Sequence, residues 1–184
     1  MKKIKPIIAI QLWFLVISLS FGVMYYFYQK QIEENKLEQL LIMGSKENSP
    51  PCLRMYYSIE KYSKQYGIPK HVAYNVAYME TRYQGPFHWS YHPNHISSAN
   101  AVGPMQIITK YAHKYAGKHV TPNELMKNID MNVMVSMKML KKWYSLYNDW
   151  GLACSGYNTG QKMMNGYGVY CSTHKNYKEK WINP

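Results

Sequence analysis

Residues 7–28, IIAIQLWFLVISLSFGVMYYFY, contain no charged side chain. About 20 apolar residues in helical rise match the roughly 30 Å hydrocarbon core of a bilayer, and this run has no polar face to turn to water. It reads as a transmembrane anchor, preceded by a short cytoplasmic tail, residues 1–6. Lys2, Lys3 and Lys5 lie in that tail. By the positive-inside tendency they hold the N-terminus in the cytoplasm and place residues 29–184 outside. A cleaved signal peptide has a shorter apolar region and small residues at its cut site, whereas this run closes on YYFYQK.

After the anchor, QKQIEENKLEQLLIM continues as a charged helix, and GSKENSPP, residues 44–51, reads as a flexible spacer. Residues 29–51 are therefore expected to form a stalk and linker, with residues 52–184 as the working domain. Residues 45–184 hold 17 Lys and Arg against 7 Asp and Glu. Such a surface suits a polyanionic partner, and outside a membrane anionic wall polymers or lipid head groups come before nucleic acid. The lysines form no run of five or more, so solubility accounts for them as well. A nucleic-acid binder is disfavoured by the anchor and by the lack of a recognition motif.

Cys52, Cys154 and Cys171 fall on the external side, where disulfides persist. None sits in a CxxC pair, which argues against zinc or redox chemistry. Three pairings are possible, and Cys154 with Cys171 closes the shortest loop.

The working domain reads as mostly helix. LRMYYSIEKYSKQY (53–66) ends at Gly67, and Pro69 opens a second helix. Pro104 can start PMQIITKYAHKYA, and TPNE (121–124) is a capping box. IDMNVMVSMKMLKKWYSLY (129–147) carries one stripe of Val133, Met137, Leu140, Tyr144 and Tyr147 and a second of Met131, Val135, Met139 and Trp143, as expected of a central helix. Residues 80–103 and 156–172 read as loops, with Tyr and Trp available to stack on sugar rings. His88, His92 and His95 invite a metal reading, but Pro93 interrupts the helix that would align them. No metal or other cofactor is expected.

Glu80 is the residue that stands out. Val72, Val76 and Glu80 are spaced by four, with Ala73 and Ala77 beside them, so the carboxylate projects from an apolar stripe at a helix C-terminus. Desolvation and the negative end of the helix dipole both favour its protonated form, as a general acid requires. The alternative is a frayed end with Glu80 turned to water beside Arg82.

Four motifs follow in order: Glu80 with Thr81, SSANAVGPMQI (97–107), NVMVSMKML (132–140) and GYNTG (156–160). Together they resemble the lytic transglycosylase family of the soluble-transglycosylase (SLT) type, over roughly residues 55–165. The family usually has Glu-Ser, Gly-Leu-Met-Gln, Asn-Ile-x-x-Gly-x-x-Tyr-Leu and Ala-Tyr-Asn-Ala-Gly. This chain departs at Thr81, Pro104, Ser136, Met139, Gly156 and Thr159, and its loop between Glu80 and Gly103 is several residues longer.

The resemblance implies a mainly α, lysozyme-like (goose-type) domain acting on peptidoglycan at the bond between N-acetylmuramic acid and N-acetylglucosamine. It implies Glu80 as catalytic acid/base, Ser97 and Gln106 along the glycan cleft, Tyr157 holding the catalytic carboxylate, and Asn158 contacting an N-acetyl sugar. Beside Glu80, residues 52–184 contain Glu60, Glu124, Asp130, Asp149 and Glu179. Each has an expected structural role, which favours a non-hydrolytic reaction over a hydrolase with Asp130 or Asp149 as second carboxylate. An inactive, tethered peptidoglycan-binding module is the other alternative. Wall turnover, a secretion apparatus and a virion membrane are all settings such an anchored enzyme suits.

Overall fold

The computed structural model describes residues 6–160. Helix α1 (Pro6–Gly44) is continuous, and within its Ile10–Gly44 stretch an 18-residue window of mean hydropathy 1.7 makes it long and apolar enough to cross a membrane by length and composition. Its serines need no water. Ser20 Oγ donates to the carbonyl of Val16 at 2.8 Å, and Ser18 donates likewise to Phe14, so their hydroxyls are satisfied within the helix.

The chain divides into two compact units between Gln39 and Leu40. In the second unit the stretch expected as an open spacer is a set of turns. Lys46 N–H donates to Met43 O at 3.2 Å, Ser49 N–H to Lys46 O at 3.2 Å, and Ser49 Oγ to Met43 O. A Cβ on Gly44 would overlap the carbonyl of Leu53, so only glycine allows this close approach.

Helices α2 (Pro51–Tyr66), α3 (Lys70–Thr81), α4 (Thr109–Ala116), α5 (Pro122–Lys127), α6 (Ile129–Tyr147) and α7 (Trp150–Thr159) make the domain mainly α. The one hairpin among the described residues is β1 (Ala101–Val102) antiparallel to β2 (Ile107–Ile108), pairing Ala101 with Ile108 and Val102 with Ile107. Local signals set most ends. Gly67 takes φ 62°, a left-handed C-cap that ends α2. Thr121 and Glu124 form the reciprocal capping box of α5.

Helix α6 is central and packs against α2, α4, α5 and α7. Val133, Val135, Met137 and Leu140 are fully buried, as are Leu53, Met55 and Ile59 of α2 and Val72 and Val76 of α3, all part of the core. At its start Asp130 accepts from Tyr62 Oη at 2.6 Å, Ser58 Oγ at 3.1 Å and Lys61 Nζ at 3.3 Å, which locks α6 to α2.

Three expectations are corrected. Pro104 does not open a helix: residues 104–106 form a turn, Ile107 and Ile108 are strand, and α4 begins at Thr109. Residues 156–159 are the last turn of α7, which Asp149 caps by accepting from Leu152 N–H at 2.7 Å and Gly160 ends at φ 74°. The loop after Glu80 also gives two of its tyrosines to the core. Tyr83 is 0% and Tyr91 3% exposed, their rings 5.0 Å apart. Burial is tolerated because each hydroxyl is paired, Tyr83 with Cys52 O at 2.8 Å and Tyr91 with Thr81 Oγ1 at 2.8 Å. Cys52 is a buried free thiol. Of the three possible cysteine pairings, two involve Cys171, which lies outside the described residues, as do Glu179 and residues 161–172 of the second expected loop.

Candidate active site

The site is organised around the turn Gly103–Gln106. Gly103 has φ 79°, and a Cβ there would overlap Asn132 Nδ2 and lie 2.8 Å from Leu125 O. Asn132, wholly buried on α6, uses its amide fully. Its Oδ1 accepts from Met105 N–H at 3.0 Å, and its Nδ2 donates to Val102 O and Leu125 O, each at 3.0 Å.

Two further side chains reach the same turn from other helices. Thr81, the last residue of α3, donates from Oγ1 to Pro104 O at 2.7 Å. Tyr157 of α7 donates from Oη to Met105 O at 2.6 Å. Ser136 Oγ of α6 lies 2.9 Å from that phenol oxygen. The one proton of Tyr157 is engaged by a carbonyl that can only accept, so Ser136 is the donor of its pair. One turn thus ties the ends of α3 and α7 to the middle of α6.

These ties shape a cleft of about 670 Å³. Glu80, Ser97, Gln106, Tyr157 and Asn158, the five residues singled out from the sequence, all line it. Glu80 sits in the last turn of α3 and is half-buried. Arg82, which follows Thr81, takes φ 59° as the C-cap and places its guanidinium 5.0 Å from the ring centre of Tyr78. Ser97 Oγ accepts from Ala101 N–H at 3.1 Å and so closes the tight turn before β1. Gln106 has φ 51° and donates from Nε2 to Gly103 O at 2.8 Å and His95 O at 3.1 Å. Its nitrogen is committed, and its amide oxygen is left to accept. Asn158 is exposed at the end of α7.

Sequence reasoning missed other walls of the cleft. Lys110, Tyr111, Lys114 and Tyr115 of α4 line it, as do Met139 and Trp143, the last two assigned above to a core stripe of α6. The signal was present in the i, i+4 spacing of the two lysines and of the two tyrosines, obscured by the misplaced start of α4. Trp143 also explains Gly156. A Cβ there would lie 2.5 Å from Trp143 Cδ2, so the alanine usual in the motif does not fit beside this indole.

Four other described carboxylates of the domain are engaged elsewhere. Glu60 accepts from Tyr74 Oη at 2.9 Å and pairs with Lys70. Glu124 closes the capping box, and its hydrogen bonds from Thr121 hold its carboxyl below the usual range. Asp130 and Asp149 serve α6 and α7 as described above. Among the described residues no group of three His, Cys, Asp or Glu is arranged to hold a metal ion. His88 instead packs on Tyr91, their rings 5.6 Å apart.

The model of the family described as Transglycosylase SLT domain matches residues 57–180, more than half of the chain. The chain belongs to this family. No curated protein matches it. The SLT match covers α2 from Tyr57 onward, α3 through α7 and the whole described cleft. It supports a peptidoglycan-cleaving activity of the transglycosylase type in a mainly helical, lysozyme-like domain.

Proposed function

We propose that this SLT protein is a membrane-anchored lytic transglycosylase. Glu80 acts as sole acid/base and cuts the bond between N-acetylmuramic acid and N-acetylglucosamine with formation of a 1,6-anhydro ring. The observation that carries this reading is that Glu80 is the one carboxylate among the described residues that lines the cleft. A hydrolase needs a second carboxylate, about 6.5–9.5 Å away to activate water or about 5–5.5 Å away as nucleophile. Asp130 and Asp149 are tied to helix starts instead.

In this reading Glu80 protonates the leaving glycosidic oxygen, then accepts the proton of the muramic C6 hydroxyl as that oxygen bonds to its own anomeric carbon. The proton balance closes on one residue and no water is consumed. An attacking hydroxyl already in the same sugar has a high effective concentration. Gln106 and Asn158 supply hydrogen-bonding groups for the N-acetyl sugars, and Tyr157, which donates to Met105 O, holds the turn that carries Gln106.

Mass spectrometry of peptidoglycan digested by the full chain tests the reaction. Anhydro-muropeptides, lighter by one water, are expected, and reducing muramic ends alone would overturn it in favour of a muramidase. The anchor and its orientation belong to the same proposal, with residues 29–184 outside. Protease added to right-side-out vesicles should remove the domain and leave a small membrane-bound fragment; a protected domain reverses the topology, and an intact soluble form means a cleaved signal.

A further inference from the structure

We infer that Lys110 and Lys114 form a carboxylate-binding wall of the cleft, which selects glycan carrying free acidic groups, the carboxylates of the peptide stems above all. This rests on the peptidoglycan reading and extends it from the sugar to its substituents.

Four residues of helical rise place the two lysines about 6 Å apart along one face of α4, and both line the cleft. That face is held firmly. Ala112 is fully buried, Lys138 Nζ donates to Tyr115 O at 2.8 Å, and Gly117 closes the helix with its N–H on His113 O at 3.0 Å. The charges therefore sit on a fixed element and only their flexible stems move.

Local preference does not explain Lys110. It is the second residue of α4, whose first turn contains no acid, and the helix dipole disfavours a cation there. Lys114 is in the last turn, where a cation is favoured. A lysine kept against local preference on a cleft wall is a sign of function rather than of folding.

Nor does an internal partner explain the pair. Lys61, Lys70 and Lys118 each face a carboxylate, Asp130, Glu60 and Glu124 respectively. Among the described residues no ion pair involves Lys110 or Lys114, and Lys110 Nζ rests 4.8 Å from the ring centre of Tyr111. Among the described residues Glu80 is the one acid lining the cleft, so these walls carry net positive charge, and their low dielectric concentrates that field on what enters. Ammonium groups on long stems suit carboxylates whose positions vary from stem to stem.

The test uses the full chain in detergent and three substrates: peptide-bearing glycan strands, the same strands with their peptide carboxylates converted to amides, and strands stripped of peptide, which expose the lactyl carboxylate. Wild type should cleave acidic strands about three- to tenfold better than amidated ones, as two partly exposed ion pairs allow, with the difference in KM rather than kcat and fading at high salt. In K110Q/K114Q that ratio should fall to about one, and in K110E/K114E it should invert. Preference for stripped over amidated strands together with none for peptide-bearing ones would move the ligand to the lactyl group and overturn the peptide assignment. Equal wild-type rates on all three, or a preference that survives K110Q/K114Q, overturns the wall itself. If wild type cleaves nothing, the proposed activity fails; co-sedimentation of the same chains with the same strands then decides the wall separately, by whether the binding ratio depends on the two lysines.

Discussion

The Tyr157 hydroxyl donates to the carbonyl of Met105 across 2.6 Å while Asn132 Oδ1 accepts from Met105 N–H at 3.0 Å. Both polar groups of one buried residue are thus clamped, from α7 and from α6. Because Gln106 follows directly in a left-handed conformation, φ 51°, these clamps fix where its amide meets the cleft. The relationship couples packing to chemistry, since a loosened turn displaces a cleft residue without removing it.

Tyr157→Phe removes the donor to Met105 O and the acceptor for buried Ser136. A net hydrogen bond is worth about 0.5–1.5 kcal/mol, with more lost where a buried group is left unpaired. The variant should fold, lose about 1–3 kcal/mol in urea unfolding, and lose more in kcat than in KM. Ser136→Ala leaves the Met105 clamp in place and should cost less on both counts. Equal activity losses in the two variants would mean that the Tyr157–Met105 bond has no special part in positioning the turn.

Asn132→Ala is expected to be the most destabilising single change at the site. Three buried backbone groups, Met105 N–H, Val102 O and Leu125 O, lose their partner together. Each unsatisfied group costs about 1–3 kcal/mol, not additively, so a loss of about 3 kcal/mol or more is expected in denaturant unfolding. Asn132→Asp should not rescue, because a carboxylate cannot donate to the two carbonyls. A loss below about 1 kcal/mol would show that water replaces the amide.

How much of this could be read from the sequence depended on how local each cause was. Gly67, the Thr121–Glu124 box and the two stripes of α6 act within a turn or two of their own positions, and those elements emerged where expected. Pro104 was misassigned because what shapes its turn is remote. Thr81 is 23 residues away and Tyr157 is 52 residues from Met105. Tyr83 and Tyr91 sat in a stretch of loop-like composition, yet partners for their hydroxyls on Cys52 and Thr81 let their rings join the core. Glu80 was legible because a carboxylate on an apolar stripe violates a local rule. Lys110 violates one too, but only once the true start of α4 is known.

Alkaline pH should unfold the domain cooperatively. Burial raises the phenol of Tyr62 to about 12 from 10.0, with the hydrogen bond to Asp130 adding to it, and burial pushes Tyr56, Tyr74, Tyr83 and Tyr91 higher still. A folded-state pKa above the unfolded value gives stability that is fully present below pH 10 and is lost as pH rises through the folded value. Unfolding free energy should be little affected by these groups between about pH 7 and 9 and fall steeply above about 10. Tyrosinate absorbance should show a class of phenols that ionises only with loss of helix. A single smooth titration near 10 with helicity retained would contradict this burial.

Glu80→Gln tests the chemistry while sparing the shape. The amide nearly matches the carboxylic acid in volume but cannot deliver a proton or take one back, and both steps of the proposed reaction fall on this residue. Positioned acid/base catalysis contributes roughly 100- to 10,000-fold, so turnover should fall by at least about 100-fold, while the melting transition and sedimentation with peptidoglycan persist. Binding without cleavage separates loss of the proton from loss of the cleft. Retention of more than about a tenth of wild-type turnover would place the acid elsewhere, with Asp130→Asn and Asp149→Asn the variants to follow. Each of those two carboxylates is engaged at a helix start, Asp130 by Ser58, Lys61 and Tyr62 and Asp149 by Leu152 N–H. Their replacement should therefore lower stability and leave the chemistry of the folded fraction intact.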